Sequence, residues 1–179
     1  MIMRKFSVII LFLITIVLAD STFTSQPGMT IGEEAPGCYA SLLKGGDFFL
    51  GRYVGPKAHA NLKSPVVFSF FTTSCIPCRK EIPYIHTLKE EYPNVSVFLV
   101  NVAEDKQRVS AFIKARGYTL PVLLDRYGKI SEKYKAQVTP TLIIINENGK
   151  IDFYKQGYKE TDNEMIKQSM EQLPHPKKH

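Results

Sequence analysis

The sequence predicts an α/β fold in which helices flank a central mixed sheet and a β-hairpin extends its N-terminal side. Between residues 66 and 133, short apolar runs alternate with segments of helical spacing, and such alternation implies parallel strands joined by right-handed crossovers. Further on, an Asn-Gly turn at residues 148 and 149 separates two apolar runs, which indicates an antiparallel hairpin. The two patterns together predict a sheet that is parallel in its middle and antiparallel at one side.

Short runs of apolar and β-branched residues predict the strands. Residues 66–71 are bounded by Pro65 and a Thr-Thr-Ser cluster, and their nearly continuous apolar character is typical of a strand buried on both faces. We therefore expect this strand at the centre of the sheet. Further strands are predicted at 95–100, 120–124, 141–145 and 151–154, and glycine-punctuated turns predict a short hairpin within 38–63.

Helical spacing predicts four helices. The first covers residues 78–92, where apolar residues recur at intervals of three and Pro83 is expected to introduce a kink. Gly117 is placed to end the second helix, and a short charged helix runs through Lys133. The last helix is predicted to begin at Thr161, whose hydroxyl would form a capping box with Glu164.

Length and composition are those of a globular protein. The chain has 179 residues, of which 44% are hydrophobic and 22% charged, with no repeat or low-complexity segment. The formal charge is +6 and the lysines are scattered, so no nucleic-acid surface is predicted. Three cysteines are too few for a disulfide-stapled miniprotein or a four-cysteine zinc site.

The N-terminus has the pattern of an export signal. Arg4 and Lys5 precede an uncharged apolar run that ends at Ala19. A spanning helix needs about 20 apolar residues, so we expect cleavage after Ala19, with retention as a membrane anchor as the alternative. The protein is therefore predicted to be extracytoplasmic, either in the periplasm or on the outer face of the cytoplasmic membrane. The predicted divisions are a signal peptide or anchor at 1–19, a linker at 20–35, a folded domain at 36–174 and a tail at 175–179.

The tetrapeptide Cys75-Ile76-Pro77-Cys78 lies where the predicted central strand ends and the first helix begins. Cysteines three residues apart at a helix start share a face, with α-carbons roughly 5 to 6 Å apart, which is within disulfide range. The helix dipole and the first-turn amides favour the thiolate of Cys75, whereas Cys78 is expected to be more buried. We therefore predict that Cys75 attacks and Cys78 resolves.

An inert disulfide and half of a zinc site are the alternatives for this cysteine pair. A zinc site needs two further ligands, and neither Cys38 nor any histidine is at ligand spacing (His59, His86, His175, His179). An inert disulfide seldom occupies a strand-to-helix corner within a sheet. Redox chemistry in an oxidising compartment is therefore predicted, with no metal and no cofactor.

Residues 66–83, with the sequence VVFSFFTTSCIPCRKEIP, resemble the active-site stretch of extracytoplasmic thioredoxin-like proteins of the TlpA and ResA kind. The likeness spans roughly residues 31–173. It implies a thioredoxin-like fold and dithiol-disulfide exchange with protein substrates, often reduction of cysteines in apocytochrome c before haem attachment. Further stretches that resemble the family are Ala35-Pro36, residues 101–104, residues 120–125 and Thr139-Pro140-Thr141.

The resemblance also implies roles for individual residues. Pro140 would be a cis-proline packed against the disulfide, and the Thr139 backbone would pair with a substrate strand. Ile76 and Pro77, between the cysteines, would contact the substrate. Glu104 matches an acidic residue near the family's active site, and its carboxylate could accept the proton of Cys78.

Three departures from the family pattern modify these expectations. The chain has no tryptophan and places Ser74 before the first cysteine, so the rim should be open and polar. Ser69 stands where thioredoxins carry a buried aspartate, so proton transfer by that route is expected to be unavailable. Ile76 adds no positive charge beside the thiolate, so a moderate pKa depression and a reducing potential are predicted.

The remaining predictions concern Cys38 and the partners. Cys38 is expected to be a small buried apolar residue, with pairing to a partner molecule as the alternative. The predicted partners are protein thiol or disulfide substrates and a membrane electron donor, and the protein is expected to be a monomer.

Two other functions share parts of these patterns. A peroxiredoxin-like peroxidase would place Thr72 three residues before its reactive cysteine, but Phe68 occupies the position where that family has a proline. A copper-carrying thioredoxin-like module would bind the metal through soft thiolates. Such modules typically have a C-x-x-x-C pattern with a distant histidine, and neither the cysteine spacing nor the histidines of this chain match that pattern well. Both remain alternatives to the reductase.

Overall fold

The computed structural model describes residues 28–173 of the chain. The predicted signal at 1–19, the adjoining residues 20–27 and the end of the chain from residue 174 lie outside the described residues. Between residues 28 and 173, no helix is both long enough and apolar enough to cross a membrane.

A single mixed sheet forms the middle of the described part. Its seven strands there are β1 (Tyr39–Leu42), β2 (Asp47–Phe49), β3 (Val66–Phe71), β4 (Ser96–Val102), β5 (Val122–Asp125), β6 (Thr141–Ile145) and β7 (Ile151–Gln156). The strand order is β2-β1-β5-β4-β3-β6-β7. Strands β3, β4 and β5 are parallel, and the hairpins at the two edges are antiparallel. The predicted mixed sheet with an N-terminal hairpin is therefore confirmed.

Helices cover both faces of this sheet. In the described residues the α-helices are α1 (Cys78–Glu91), α2 (Lys106–Arg116), α3 (Lys129–Lys133) and α4 (Asn163–Glu171). One apolar cluster lies under α1, α2 and α4, and a second lies between the sheet, the N-terminal hairpin and α3. Successive side chains of a strand point to opposite faces of the sheet. On β3, Val67 and Phe71 therefore pack in the first cluster, and Phe68 and Phe70 pack in the second.

The two ends of α2 are fixed by local capping signals. Asp105 caps α2 by accepting a hydrogen bond from the Arg108 amide, and Gly117 ends it in the left-handed conformation, at φ 68°. The glycine stop is thus confirmed.

The predicted capping box of the last helix is wrong. A 3-10 turn, Glu160–Asp162, precedes α4. The Lys159 amide donates to the Asp162 carboxylate at 2.7 Å, so the acidic side chain directly after the predicted cap closes this turn. The helix therefore begins after Asp162 rather than at Thr161.

Residues 28–35, which the sequence analysis assigns to the linker, run beside the start of β7. The Gly32 amide donates to the Ile151 carbonyl at 2.7 Å, and the Ala35 amide donates to the Gly149 carbonyl at 2.8 Å. Met29 is buried. A Cβ atom at Gly28 would lie only 2.2 Å from the Tyr154 ring, so the chain approaches this ring more closely than a residue with a side chain could.

Candidate active site

Cys75 and Cys78 form a disulfide at the junction between β3 and α1. Their α-carbons are 5.4 Å apart, within the predicted range. The two residues differ in exposure, since Cys75 is 8% exposed and Cys78 is fully buried. Cys75 is therefore the more exposed cysteine of the pair, which is the asymmetry that the sequence predicted.

The start of α1 supplies a hydrogen-bond donor to the more accessible sulfur. The Cys78 amide donates to Cys75 Sγ at 3.1 Å. Pro77 precedes this first helical residue with a helical φ of −62°, and its missing N–H leaves no unpaired donor there. Because the positive end of the helix dipole lies at the same place, a thiolate at Cys75 would be stabilised after reduction.

Glu104 lies beside the loop that leads to Cys75. Its carboxylate accepts hydrogen bonds from the Thr73 amide at 2.8 Å, the Thr73 hydroxyl at 2.6 Å and Asn101 Nδ2 at 2.7 Å. It also lies 3.1 Å from Arg108 Nε. Three hydrogen-bond donors and the positive charge of Arg108 thus converge on one carboxylate and fix Thr73, two residues before Cys75. The proton-transfer role predicted for Glu104 remains a prediction, and its contacts are those of a group that holds the loop.

Two arginines border the same loop, and the sequence analysis missed both. Arg79 Nη2 donates to the Thr73 carbonyl at 3.3 Å, and Arg108 Nε donates to the Thr73 hydroxyl at 2.8 Å. Between the cysteines, Ile76 adds no positive charge. The fold instead brings positive charge to the Cys75 loop from α1 and α2.

A buried carboxylate lies on α1 three residues after Cys78, and the sequence analysis missed this too. Glu81 is only 1% exposed, and its Oε2 accepts a hydrogen bond from Ser69 Oγ at 2.7 Å. Burial raises the pKa of Glu81 to about 7, against the opposing effect of the Ser69 hydrogen bond. On a helix, residues three apart are neighbours on one face, so this carboxylate lies on the same face as Cys78.

The expectation that proton transfer at Ser69 is unavailable stays a prediction, although the structure places a carboxyl group beside this serine. Ser69 carries no acid itself, but it holds an acid that comes from the helix. A signal was present in the sequence, because Glu81 interrupts the apolar stripe of α1 at helical spacing from Cys78 and beside Ile82. A charged residue on the buried face of a helix is rare unless it has a partner or a function.

The loop at residues 138–140 lies at the same end of the strands as the disulfide. Phe70 pairs with Thr141, so the segment before β6 lies beside the segment after β3. The Thr139–Pro140 peptide bond is cis, which confirms the geometry that the resemblance implied. Ile76 is 70% exposed and Val138 49% exposed, so apolar side chains are accessible in both segments.

Two further residues of the sequence analysis have defined positions. Ser74 is exposed, which fits the open, polar rim that was predicted. Cys38 is partly buried against the second apolar cluster, with its Sγ 4.0 Å from the Tyr134 hydroxyl. Burial raises the pKa of the Cys38 thiol to about 12, which favours the protonated thiol at neutral pH.

Comparisons with known proteins agree with this geometry. The family model described as Redoxin matches residues 56–171. The thiol-disulfide oxidoreductase ResA of Geobacillus thermodenitrificans is 31% identical over 153 residues, which cover 84% of this chain and 82% of the relative.

Solved structures give the same result. The crystal structure of StoA from Bacillus subtilis matches with a TM-score of 0.60 and 27% identity, over 75% of this chain and 96% of that one. A candidate thiol:disulfide interchange protein DsbE from Chlorobium tepidum matches with a TM-score of 0.70, over 79% of this chain and 96% of that one. At 23% identity, the second match bears on the fold alone.

Proposed function

Because the chain belongs to the Redoxin family and is a thiol-disulfide oxidoreductase with a thioredoxin-like fold, we propose that Cys75 and Cys78 carry its reaction and reduce disulfides in exported proteins. The observation that carries this proposal is the disulfide at the start of α1, in which Cys75 is 8% exposed and accepts a hydrogen bond from the Cys78 amide, whereas Cys78 is fully buried. An oxidised pair in this position is the product of the proposed reaction.

The proposed reaction transfers two electrons from the cysteine pair to the substrate. The Cys75 thiolate attacks one sulfur of a substrate disulfide, so a mixed disulfide forms and the other substrate sulfur leaves as a thiolate. Cys78 then loses its proton and attacks Cys75 Sγ, which releases the second substrate thiol. The cysteine pair ends as the disulfide, and an external dithiol, proposed to belong to a membrane electron donor, must reduce it again.

We propose that Glu81 accepts the thiol proton of Cys78. Cys78 is fully buried, so bulk water does not reach its thiol and an internal base is needed. A carboxyl whose pKa is raised to about 7 is poised to accept a proton near neutral pH. Glu104 is the alternative acceptor, but its carboxylate is occupied by donors from Thr73, Asn101 and Arg108.

The substrate is proposed to be an extended polypeptide that lies across the disulfide. The Thr139 backbone, ahead of the cis-Pro140, would pair with it, and Ile76 and Pro77 would contact it from the other side. The exposed apolar side chains of Ile76 and Val138 support contacts with apolar groups beside the substrate cysteines. Apocytochrome c, whose cysteines must be reduced before haem attachment, is the proposed substrate class.

Location and organisation belong to the same proposal. The segment 1–19 would direct export to the periplasm or the outer face of the cytoplasmic membrane, either cleaved or kept as an anchor. The folded domain is assigned to 36–174 and is monomeric, with the linker, 20–35, before it and a tail after it. Residues 28–35 add contacts along β7 to that domain.

Reduction of a peptide that contains an oxidised Cys-x-x-Cys-His sequence tests the proposed function. The reduced protein should transfer two electrons per molecule to this peptide, Cys75→Ser should abolish the transfer, and Cys38→Ser should leave it unchanged. Peroxide consumption that depends on Cys75, without peptide reduction, would favour the peroxidase instead. One equivalent of copper retained through gel filtration, without peptide reduction, would favour the copper carrier.

A further inference from the structure

Lys155 and Asp162 form a partly buried ion pair that the proposed reaction does not use. Lys155 Nζ lies 3.2 Å from Asp162 Oδ2, and the two side chains are only 24% and 14% exposed. The ion pair of Lys80 with Glu160, by contrast, lies at the surface, with side chains that are 65% and 70% exposed. A pair that is withdrawn from water acts on its neighbours more strongly than a solvated pair does.

The strand register places Lys155 on the same face of the sheet as the buried carboxyl. Ser69 on β3 pairs with Leu142 on β6, and Leu142 pairs with Lys155 on β7. Residues paired across neighbouring strands point to the same face, and each step between strands is about 4.8 Å. Lys155 is thus two strands, about 10 Å, from Ser69, and Glu81 occupies the same face through its hydrogen bond to Ser69.

Four groups from the surrounding elements act on the Glu81 carboxyl. Ser69 donates a hydrogen bond from β3, Lys155 faces it from β7, Asp162 faces it from the 3-10 turn, and Tyr158 lies in the segment between them. Burial raises the pKa of Glu81 most strongly, Ser69 and Lys155 lower it, and Asp162 raises it. The two members of the ion pair therefore act on Glu81 in opposite directions.

We propose that Lys155 and Asp162 are positioning residues for the proton step, in which Lys155 favours the ionised Glu81 carboxylate and Asp162 holds Lys155 and moderates its effect. This inference rests on the proposed role of Glu81 as the proton acceptor of Cys78. In the step concerned, the Cys78 thiol proton passes to the Glu81 carboxylate while Cys78 Sγ bonds to Cys75 Sγ. The ion pair takes no proton itself, but it sets the pH range in which Glu81 is free to accept one.

Titration of Glu81 in single-charge variants tests the inference directly. In the oxidised protein, the carboxyl resonance of Glu81, assigned by its loss in Glu81→Gln, is followed by NMR against pH. Lys155→Met should move its midpoint upwards and Asp162→Asn should move it downwards. A shift of about half to one pH unit is expected in each case, below the 1 to 3 units that an adjacent charge produces. A purely structural role would not give shifts of opposite sign.

Lys80→Met is the matched control, since Lys80 lies on α1 and its ion pair with Glu160 is exposed. We expect Lys80→Met to leave the titration midpoint of Glu81 unchanged. Midpoints that stay in place in both test variants, or that move in the same direction, would overturn the inference.

A kinetic measurement separates this inference from the proposed role of Glu81. A mixed disulfide between Cys75 and a small thiol is formed at acid pH, and release of that thiol is followed after a jump to higher pH. Lys155→Met should shift the pH profile of release upwards in the wild-type background and not in the Glu81→Gln background. If the NMR midpoints shift as expected but Glu81→Gln leaves this profile unchanged, the role of Glu81 in the reaction fails while the electrostatic coupling stands.

Discussion

Ser69 Oγ donates a hydrogen bond of 2.7 Å to Glu81 Oε2, and both residues are buried. The bond joins the central strand to the first helix, three residues after Cys78. An acid that could have come from the strand comes instead from the helix, on the same face as the resolving cysteine. In the proposed reaction, the second step therefore depends on a contact between two elements rather than on the cysteine motif alone.

Glu81→Gln should slow the release of substrate from the mixed disulfide. The glutamine keeps an acceptor for Ser69 but cannot take the Cys78 proton, and general base catalysis contributes typically about 10²- to 10⁴-fold. In the wild type, release should accelerate as the pH rises through about 7, the pKa of Glu81, because only the ionised carboxylate is a base. Single-turnover kinetics across this range will check both effects, and a variant that keeps the wild-type rate and profile would exclude Glu81.

The stability of the oxidised protein should fall as the pH rises through about 7. Burial raises the folded-state pKa of Glu81 from an ordinary value near 4.5 to about 7, so the folded protein holds this proton more tightly than the unfolded chain. Its contribution to the free energy of unfolding is fully present below pH 4.5 and is lost between the two values. Urea unfolding over this range should show the loss in the wild type and a flatter profile in Glu81→Gln, and equal profiles would contradict it.

Glu104→Gln should act on the loop rather than on the proton. Loss of the charge weakens the contacts to Thr73, Asn101 and Arg108, so a decrease of about 1 to 3 kcal/mol in the free energy of unfolding is expected. The first attack by Cys75 should slow, while the pH profile of release from the mixed disulfide stays in place. If the rate of release no longer rises with pH near neutrality in this variant, Glu104 would instead be supported as the proton acceptor.

Arg79→Met should raise the pKa of the Cys75 thiol. Arg79 donates to the Thr73 carbonyl and brings a positive charge to the loop, which favours the thiolate. The thiolate absorbance of the reduced protein, measured against pH, should shift upwards by a few tenths of a unit, as expected for an exposed charge. Lys80→Met, the next cation along α1, is the control, and an equal shift in that variant would mean that Arg79 has no specific effect.

Much of the fold was predictable because local signals and tertiary packing agree. The apolar run at 66–71 is β3, Gly117 ends α2, and the Asn-Gly turn joins β6 to β7. The position of the N-terminal hairpin was not predictable, because β1 pairs with β5 through contacts about 80 residues apart in the chain. The start of α4 was missed because the Lys159–Asp162 contact competed with the predicted cap.

The candidate site divides in the same way. The cysteine pair and its asymmetry follow from spacing and from the start of a helix, and the cis bond at Pro140 follows from the resemblance alone. The contacts of Arg79 and Arg108 with Thr73 depend on how α1 and α2 meet the loop, which no local pattern encodes. Glu81 is different, because its place on the apolar stripe of α1 was visible in the sequence and only its partner, Ser69, was not.

Trapping of a substrate on Cys75 tests whether this cysteine carries the proposed exchange. A Cys78→Ser variant, which cannot complete the second step, is reduced and mixed with the oxidised Cys-x-x-Cys-His peptide, and the products are analysed by mass spectrometry with and without dithiothreitol. The expected product carries one peptide per chain, attached through Cys75 and released by dithiothreitol. Recovery of the unmodified variant, or attachment at Cys38 instead, would contradict it.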